Sequence, residues 1–262
     1  MLLPRTSDAI QSSRGKEFSL PYITTQAIVL TYAAWRENDR ILTLISPDHG
    51  RIDALCRGCR KPKSPLAAAG ERFTLGEYVF FAGKDRKIVQ SCGVIETFYP
   101  LRLEYERLAH AAVLAAATQK AVQADEPAPH LFILLARSLK RLAFEEETPM
   151  EAVTCAFLLH FTAISGFLPR LSHCVRCGRP MGDEGGYLLP EEGGVCCAEC
   201  CANASGRDFV SAPELSWLRQ VKTGGIDKAD KLAMRYPLEI LVRYAQDKLD
   251  MTLPPLPGPI GK

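Results

Sequence analysis

The chain has 262 residues, 47% of them hydrophobic and 24% charged, which suits one large or two modest globular domains with a substantial core. The net charge of +2 is too small to attract a partner by itself, so any nucleic-acid function would depend on local clusters of Lys and Arg. The most apolar run, residues 152–164, is too short to cross a membrane, and no membrane partner is expected. Residues 1–22 lack the apolar segment of a signal peptide, so we expect a flexible leader and a cytoplasmic location.

The next part of the chain, residues 23–100, has the pattern of β-strands. Short runs rich in β-branched and aromatic residues cover positions 23–31, 40–46, 51–56, 76–83 and 87–96, and turn-forming stretches separate them. Five short strands predict a small barrel, and the OB-fold is the commonest five-stranded type. An SH3-like barrel is the alternative.

After Pro100 the pattern becomes helical. Apolar residues recur at helical spacing in residues 103–123, 129–144, 150–166, 211–222 and 236–249. The third segment is apolar almost all round, which predicts a buried helix. Ser211 and Glu214 have the spacing of a capping box. The fold class is therefore predicted to be α+β, with an all-helical domain over residues 101–262.

A cysteine-rich segment, residues 171–203, interrupts the helical region and predicts a zinc finger. Cys174 and Cys177 form one Cys-x2-Cys pair, Cys197 and Cys200 form another, and nineteen residues lie between the pairs. This spacing is typical of a four-thiolate zinc site, because a short turn can direct two sulfurs at one tetrahedral ion. Four protein ligands leave no open coordination position, so one structural zinc per chain is expected.

The remaining cysteines leave alternatives open. Cys196 with Cys200, or Cys197 with Cys201, would also suit a metal at the longer x3 spacing, and His173 is a possible substitute ligand. The x2 spacing is favoured because it matches the first pair, so Cys196 and Cys201 should face away from the metal. A third motif, at residues 56–59, has no second pair nearby, and coincidence is a better account of it than a redox dithiol.

Basic residues concentrate in two connections of the predicted barrel. The first set is Arg51, Arg57, Arg60, Lys61 and Lys63, and a second set is Lys84, Arg86 and Lys87. Beside an OB barrel, these cations would follow a phosphate backbone, whereas in isolation they would indicate only a solvated loop. Aromatic residues that could stack on bases, some of which must belong to the core, are Tyr32, Trp35, Phe73, Tyr78, Phe80 and Phe81.

Residues 27–66 resemble the N-terminal domain of the RecO family of bacterial recombination mediators. The resemblance lies in the segment Glu37-Asn38-Asp39-Arg40 and in the Gly-x-Arg-x-Pro-Lys-Ser pattern that begins at Gly58. The Gly-Gly-x-x-Cys-x-x-Cys pattern of the family's zinc finger matches residues 193–200 and implies Cys197 and Cys200 as ligands. One departure is that Cys56 and Cys59 stand where the family usually has small or apolar residues.

The resemblance implies a non-enzymatic function in recombinational DNA repair. RecO-like proteins bind single- and double-stranded DNA, anneal complementary strands, engage single-strand binding protein and, with RecR, help to load RecA. The sequence agrees, since it contains no phosphate-binding Gly-rich loop, nucleophile elbow or HExxH motif. An RNA-binding protein with an OB barrel and a zinc ribbon is the alternative.

A further cluster of cations lies on one face of the second predicted helix. Arg137, Lys140 and Arg141 are spaced i, i+3 and i+4, with apolar residues one turn away. Such a face could bind the acidic C-terminal tail of single-strand binding protein, although a solvated helix face is the simpler interpretation.

Overall fold

The computed structural model describes residues 22–83, 86–182, 184–202, 208–228 and 235–257. The strands are β1 (Tyr22–Ala34), β2 (Arg40–Ser46), β3 (Gly50–Cys56), β4 (Leu75–Ala82), β5 (Lys87–Glu96), β6 (Gly186–Leu189), β7 (Gly194–Cys196) and β8 (Phe209–Val210). The helices are α1 (Tyr105–Ala121), α2 (Pro129–Phe144), α3 (Met150–Ile164), α4 (Ala212–Gly224) and α5 (Leu238–Lys248). Short 3-10 turns occupy Ala68–Gly70, Tyr99–Arg102 and Ile226–Lys228.

The first five strands close into a barrel in the order β1-β2-β3-β5-β4, which confirms the predicted OB-type architecture. Neighbouring strands pair antiparallel except β3 and β5, which meet in a short parallel seam. Side chains alternate along β1: Ala27 and Val29 belong to the barrel interior, and Ile28 belongs to the core shared with the helices. Tyr22, predicted in the leader, is instead the first residue of β1 and pairs with Phe81.

The helices build the second part of the core. Residues 152–159 of α3 are all buried, as the apolar pattern predicted, and α3 packs against α2 and α5. The predicted capping box begins α4, where the Ser211 N–H donates to Glu214 Oε2 at 2.7 Å. The cysteine-rich segment forms a small sheet in the order β7-β6-β8 beside these helices.

The barrel contacts the helical part through main-chain hydrogen bonds between the β2–β3 turn and the segment that joins α1 to α2. The Arg51 N–H donates to the Gln123 carbonyl at 2.8 Å, and the Asp125 N–H donates to the His49 carbonyl at 3.0 Å. Gly50 lies between them with φ +57°, and a Cβ at this position would overlap the carbonyl oxygens of Gln123 and Glu126. This joint leaves no room for a side chain at residue 50.

The barrel and the helices also share one hydrophobic core. The predicted domain boundary at residue 100 and the predicted limits of the zinc finger stay predictions. Within the described ranges, no helix is long and apolar enough to cross a membrane.

Candidate nucleic-acid interface and metal centre

One end of the barrel carries the exposed cations of the β3–β4 connection. Two hydrogen bonds hold this connection against the β1–β2 turn: the Arg60 N–H donates to the Asn38 carbonyl at 3.1 Å, and the Gly58 N–H donates to Asp39 Oδ1 at 2.8 Å. We call the resulting surface the basic end, and its members are Trp35, Arg57, Arg60, Lys61, Lys63 and Arg86. The short turns of this connection therefore fix the cations beside the tip of the β1–β2 hairpin.

The basic end includes an exposed aromatic ring. Trp35 is 47% exposed, and the Arg86 guanidinium lies over its ring at 4.7 Å from the centroid. Tyr32 lies nearby on β1, where Arg40 covers its ring at 3.8 Å. Because Arg40 also forms an ion pair with Glu71 at 2.6 Å, that cation is largely neutralised within the protein.

The predicted cations differ in whether an acid neutralises them. Arg57, Arg60, Lys61 and Lys63 are exposed, and no acidic partner occurs among the described residues. By contrast, Arg51 pairs with Asp53 at 2.9 Å, and Lys87 pairs with Asp125 at 3.5 Å.

Position separates these residues as well. Arg51 is the second residue of β3 and Arg57 follows its last residue, so they lie about 20 Å apart along the strand at ~3.3 Å per residue. The basic end thus gathers Arg57, Arg60, Lys61, Lys63 and Arg86 but not Arg51 or Lys87, and Lys84 lies outside the described residues.

The aromatic candidates also divide. Tyr78 and Phe80 stack in the barrel interior, and Phe73 is buried in the shared core, so these three stabilise the fold. Two exposed arginines were not identified from the sequence, Arg36 next to Trp35 and Arg72 near Tyr32. The Trp-Arg dipeptide at a hairpin turn was a usable signal for Arg36, whereas Arg72 comes close to β1 only through folding.

Four cysteines from two turns converge beside the helices. The Sγ atoms of Cys174, Cys177, Cys197 and Cys200 all lie within 4.8 Å of one another, so the cluster could hold a metal ion. The turn after Cys174 closes with a hydrogen bond from the Gly178 N–H to the Cys174 carbonyl at 3.0 Å, and Gly178 has φ +75°. These are the four cysteines that the x2 spacing selected, and His173 is exposed and outside the cluster.

The pKa values of two cysteines in this cluster are shifted in opposite directions. Burial raises the pKa of Cys174, but the N–H groups of Cys177, Cys197 and Arg176 outweigh this effect and lower the pKa to about 6. Hydrogen bonds to the Cys197 and Cys177 sulfurs, followed by burial, raise the pKa of Cys200 to about 12. The lowered pKa of Cys174 favours the thiolate form that binds a metal, and ligation at Cys200 would release its proton.

The two cysteines predicted to face away from the metal are bonded to each other. Cys196 and Cys201 form a disulfide, and both side chains are buried. The four-sulfur cluster does not include them, but Cys196 Sγ lies 3.9 Å from Cys174 Sγ, so this side chain does not face away as predicted. Their pairing was not anticipated, because a Cys-x4-Cys spacing in a chain expected to occupy a reducing compartment gave no reason to expect it.

Cys56 and Cys59 lie in the barrel interior. Both are buried, and the Cys59 thiol donates to the Cys56 carbonyl at 3.3 Å. Burial, followed by the neighbouring Cys59, raises the pKa of Cys56, which disfavours the reactive thiolate. The structure therefore favours packing over redox chemistry for this motif, and within the described chain it forms no cluster with His49.

The predicted cationic face of α2 is only partly available. Arg141 is buried, and its guanidinium donates to the Ile226 carbonyl and to Glu145. Arg137 is exposed and pairs with Asp227, and Lys140 is exposed. Arg141 thus joins α2 to the turn after α4, and it could meet an incoming peptide only by giving up these contacts.

The sequence matches known protein families over most of its length. Residues 20–98 match the model described as Recombination protein O N terminal, and residues 102–249 match Recombination protein O C terminal. DNA repair protein RecO of Acetivibrio thermocellus is 32% identical over 233 residues, which cover 84% of this chain and 92% of that protein. DNA repair protein RecO of Frankia casuarinae is 32% identical over 243 residues, which cover 91% and 98%. The protein of that name from Desulfitobacterium hafniense, strain DSM 10664 / DCB-2, is 31% identical over 236 residues, which cover 87% and 85%.

Proposed function

This chain belongs to the RecO family of DNA repair proteins, and we propose that it binds single- and double-stranded DNA and anneals complementary strands. The observation that carries this proposal is the basic end, where exposed cations that have no acidic partner in the described part of the chain lie on the same surface as an exposed tryptophan. Cations attract the phosphates, and aromatic rings stack on bases whatever their sequence. The proposed role is that of a mediator and not of an enzyme.

The phosphate contacts can be tested by the salt dependence of single-strand binding. Replacing Arg57 and Lys61 by Ala should weaken binding and reduce the slope of log affinity against log salt by about 1.4, at ~0.7 per phosphate lost. A double variant, Arg51→Ala with Lys140→Ala, removes the same charge from outside the basic end and should leave the slope unchanged. Equal effects of the two variants would show that binding depends only on total charge.

Stacking on Trp35 has a direct optical test, because the chain has only 2 tryptophans and Trp217 is buried. In a Trp217→Phe variant, emission comes from Trp35, and a single-stranded oligonucleotide should quench it. Trp35→Ala should cost about 1–3 kcal/mol of binding, and Trp35→Phe should retain most of it. Unchanged emission at saturating DNA would remove Trp35 from the interface. Tighter binding of an RNA oligonucleotide of the same sequence would favour the RNA-binding alternative.

We further propose that Cys174, Cys177, Cys197 and Cys200 hold one structural zinc ion per chain. Four thiolates suit zinc, and with no open position the ion would supply folding free energy and no catalysis. Metal analysis should give one zinc per chain, and cobalt substitution should give the absorption of a four-thiolate tetrahedral site. A stoichiometry near zero after purification without chelator would contradict this assignment.

We propose two protein partners, single-strand binding protein, which would bind through its C-terminal tail, and RecR. With RecR, this chain would promote RecA loading, and it would be associated with the nucleoid. The assay is annealing of complementary strands coated with single-strand binding protein, followed by RecA loading with and without RecR. For the tail, Lys140→Glu should weaken binding of the isolated acidic peptide if α2 contributes. Unchanged peptide affinity would exclude α2, and unchanged annealing without the chain would exclude the mediator role.

A further inference from the structure

The turn that carries two of the proposed zinc ligands is closed by a second pair of sulfurs. Cys196 directly precedes Cys197, Cys201 directly follows Cys200, and the disulfide joins these outer residues. The four-sulfur cluster does not include them, so their bond uses no ligand. The segment Cys196 to Cys201 therefore contains an inner pair for a metal and an outer pair that can be oxidised or reduced separately.

We propose that Cys196 and Cys201 are a reversible dithiol–disulfide site that controls how firmly the four-cysteine cluster retains its metal. The oxidised pair holds the metal more firmly, and the reduced pair lets it exchange faster. This inference rests on the proposed zinc site and not on DNA binding.

The first argument is geometrical. The Cα atoms of Cys196 and Cys201 are 6.4 Å apart, within the usual range for a disulfide, so the backbone of this turn accommodates the bond. The turn is also held by the Cys201 N–H, which donates to the Cys197 carbonyl at 3.1 Å. A bond across the ends of this turn restricts the separation of Cys197 and Cys200 even when the metal dissociates, which favours recapture.

The second argument concerns the free Cys196 thiol. Cys196 Sγ lies 3.9 Å from Cys174 Sγ, while the ligand sulfurs of Cys177 and Cys197 are 3.8 Å apart. A reduced Cys196 is thus a fifth sulfur at ligand spacing from Cys174, and it can displace that neighbour and open a route for metal transfer. In the disulfide this sulfur is bonded to Cys201 and cannot compete.

The oxidant we assign is a peroxide. The Cys201 thiolate attacks one peroxide oxygen, the O–O bond breaks, and with a proton the other oxygen leaves as water. The Cys196 sulfur then attacks the sulfenic acid, the S–O bond breaks, and a second water leaves with the thiol proton. The two sulfurs lose two electrons and the peroxide gains two. A small dithiol reverses the step by exchange and becomes a disulfide itself.

The experiment uses the full-length, zinc-loaded chain. The whole sample is first reduced with a phosphine, and one half is then treated with equimolar hydrogen peroxide. The rate of zinc release to a chromogenic chelator is measured for both halves. Alkylation and peptide mass mapping identify the oxidised cysteines. We expect a disulfide at Cys196 and Cys201 and release at least about tenfold slower than in the reduced chain, the lower end of effects from groups next to ligands.

Variants separate the two arguments. Cys201→Ser should release zinc quickly with or without peroxide, because the competing thiol remains and the bond cannot form. Cys196→Ser should release zinc more slowly than the reduced protein and should not respond to peroxide. Cys92→Ala, a control in the barrel, should keep the full difference. Equal release rates in the two states of the unmodified chain, or peroxide oxidation that removes zinc by consuming the ligands, would overturn the proposal.

Discussion

The joint between the barrel and the helices predicts an unusually large cost for the smallest substitution, Gly50→Ala. An L-residue at φ +57° costs about 1 kcal/mol. The added Cβ would also overlap two carbonyl oxygens, those of Gln123 and Glu126, which belong to the main chain and cannot rotate away. Overpacking of this kind typically adds about 1–3 kcal/mol, so we expect a total loss of about 2–4 kcal/mol in the free energy of unfolding.

The measurement is urea unfolding followed by circular dichroism, with hydrogen exchange of the Arg51 and Asp125 amides as a local readout. Gly166→Ala is the matched control, because Gly166 has φ +85° and an added Cβ would meet nothing within 4 Å. The control should lose only the backbone cost of about 1 kcal/mol and leave those amides protected. If the two variants lose equal stability, the overlap at the joint does not exist as described.

Three further predictions concern stability. Arg141→Met should lower the free energy of unfolding in urea by about 1–3 kcal/mol, because it leaves the buried Ile226 carbonyl without its donor. The control Lys140→Met should change it by no more than ~0.5 kcal/mol. Equal losses would contradict the burial of Arg141. Burial lowers the pKa of His110 and of His160, so below pH ~6.5 the unfolded chain takes up protons that the folded chain does not, and stability should fall with acidification. His110→Gln should flatten this profile of melting temperature against pH, and an unchanged slope would exclude His110 as its source. Cys177→Ser, or zinc removal by a chelator, should lower the melting temperature, and an unchanged melt would show that the cluster is dispensable for stability.

Local patterns were sufficient to predict the elements and the cysteine cluster. Strand alternation and helical spacing are properties of adjacent residues, so the barrel strands and the helices follow from the chain directly. The choice of Cys197 and Cys200 over their neighbours rested on turn geometry, which is equally local. The capping box at Ser211 is a third example.

Pairing between distant residues was beyond the sequence. Lys87 looked equivalent to Arg86 in the sequence. The fold, however, places Asp125 beside Lys87 and the ring of Trp35 beside Arg86. Arg141 looked like a surface cation because it shares one helical face with Arg137 and Lys140. In the structure, however, the turn at Ile226 covers it. Which cations remain available to a partner therefore depends on tertiary contacts that span tens of residues.

The hydrogen bonds of the joint between barrel and helices involve main-chain atoms alone. The Ala128 N–H donates to the Pro47 carbonyl at 2.9 Å, in addition to the two bonds around Gly50. Main-chain donors and acceptors are the same in almost every amino acid, so substitutions in residues 123–128 can leave these bonds unaltered, except at Asp125, whose φ of +59° suits few residue types. Over evolutionary time, the close approach of the two main chains at this joint should depend on one small residue, Gly50, while the shared core and the Lys87–Asp125 ion pair hold the two parts by other means.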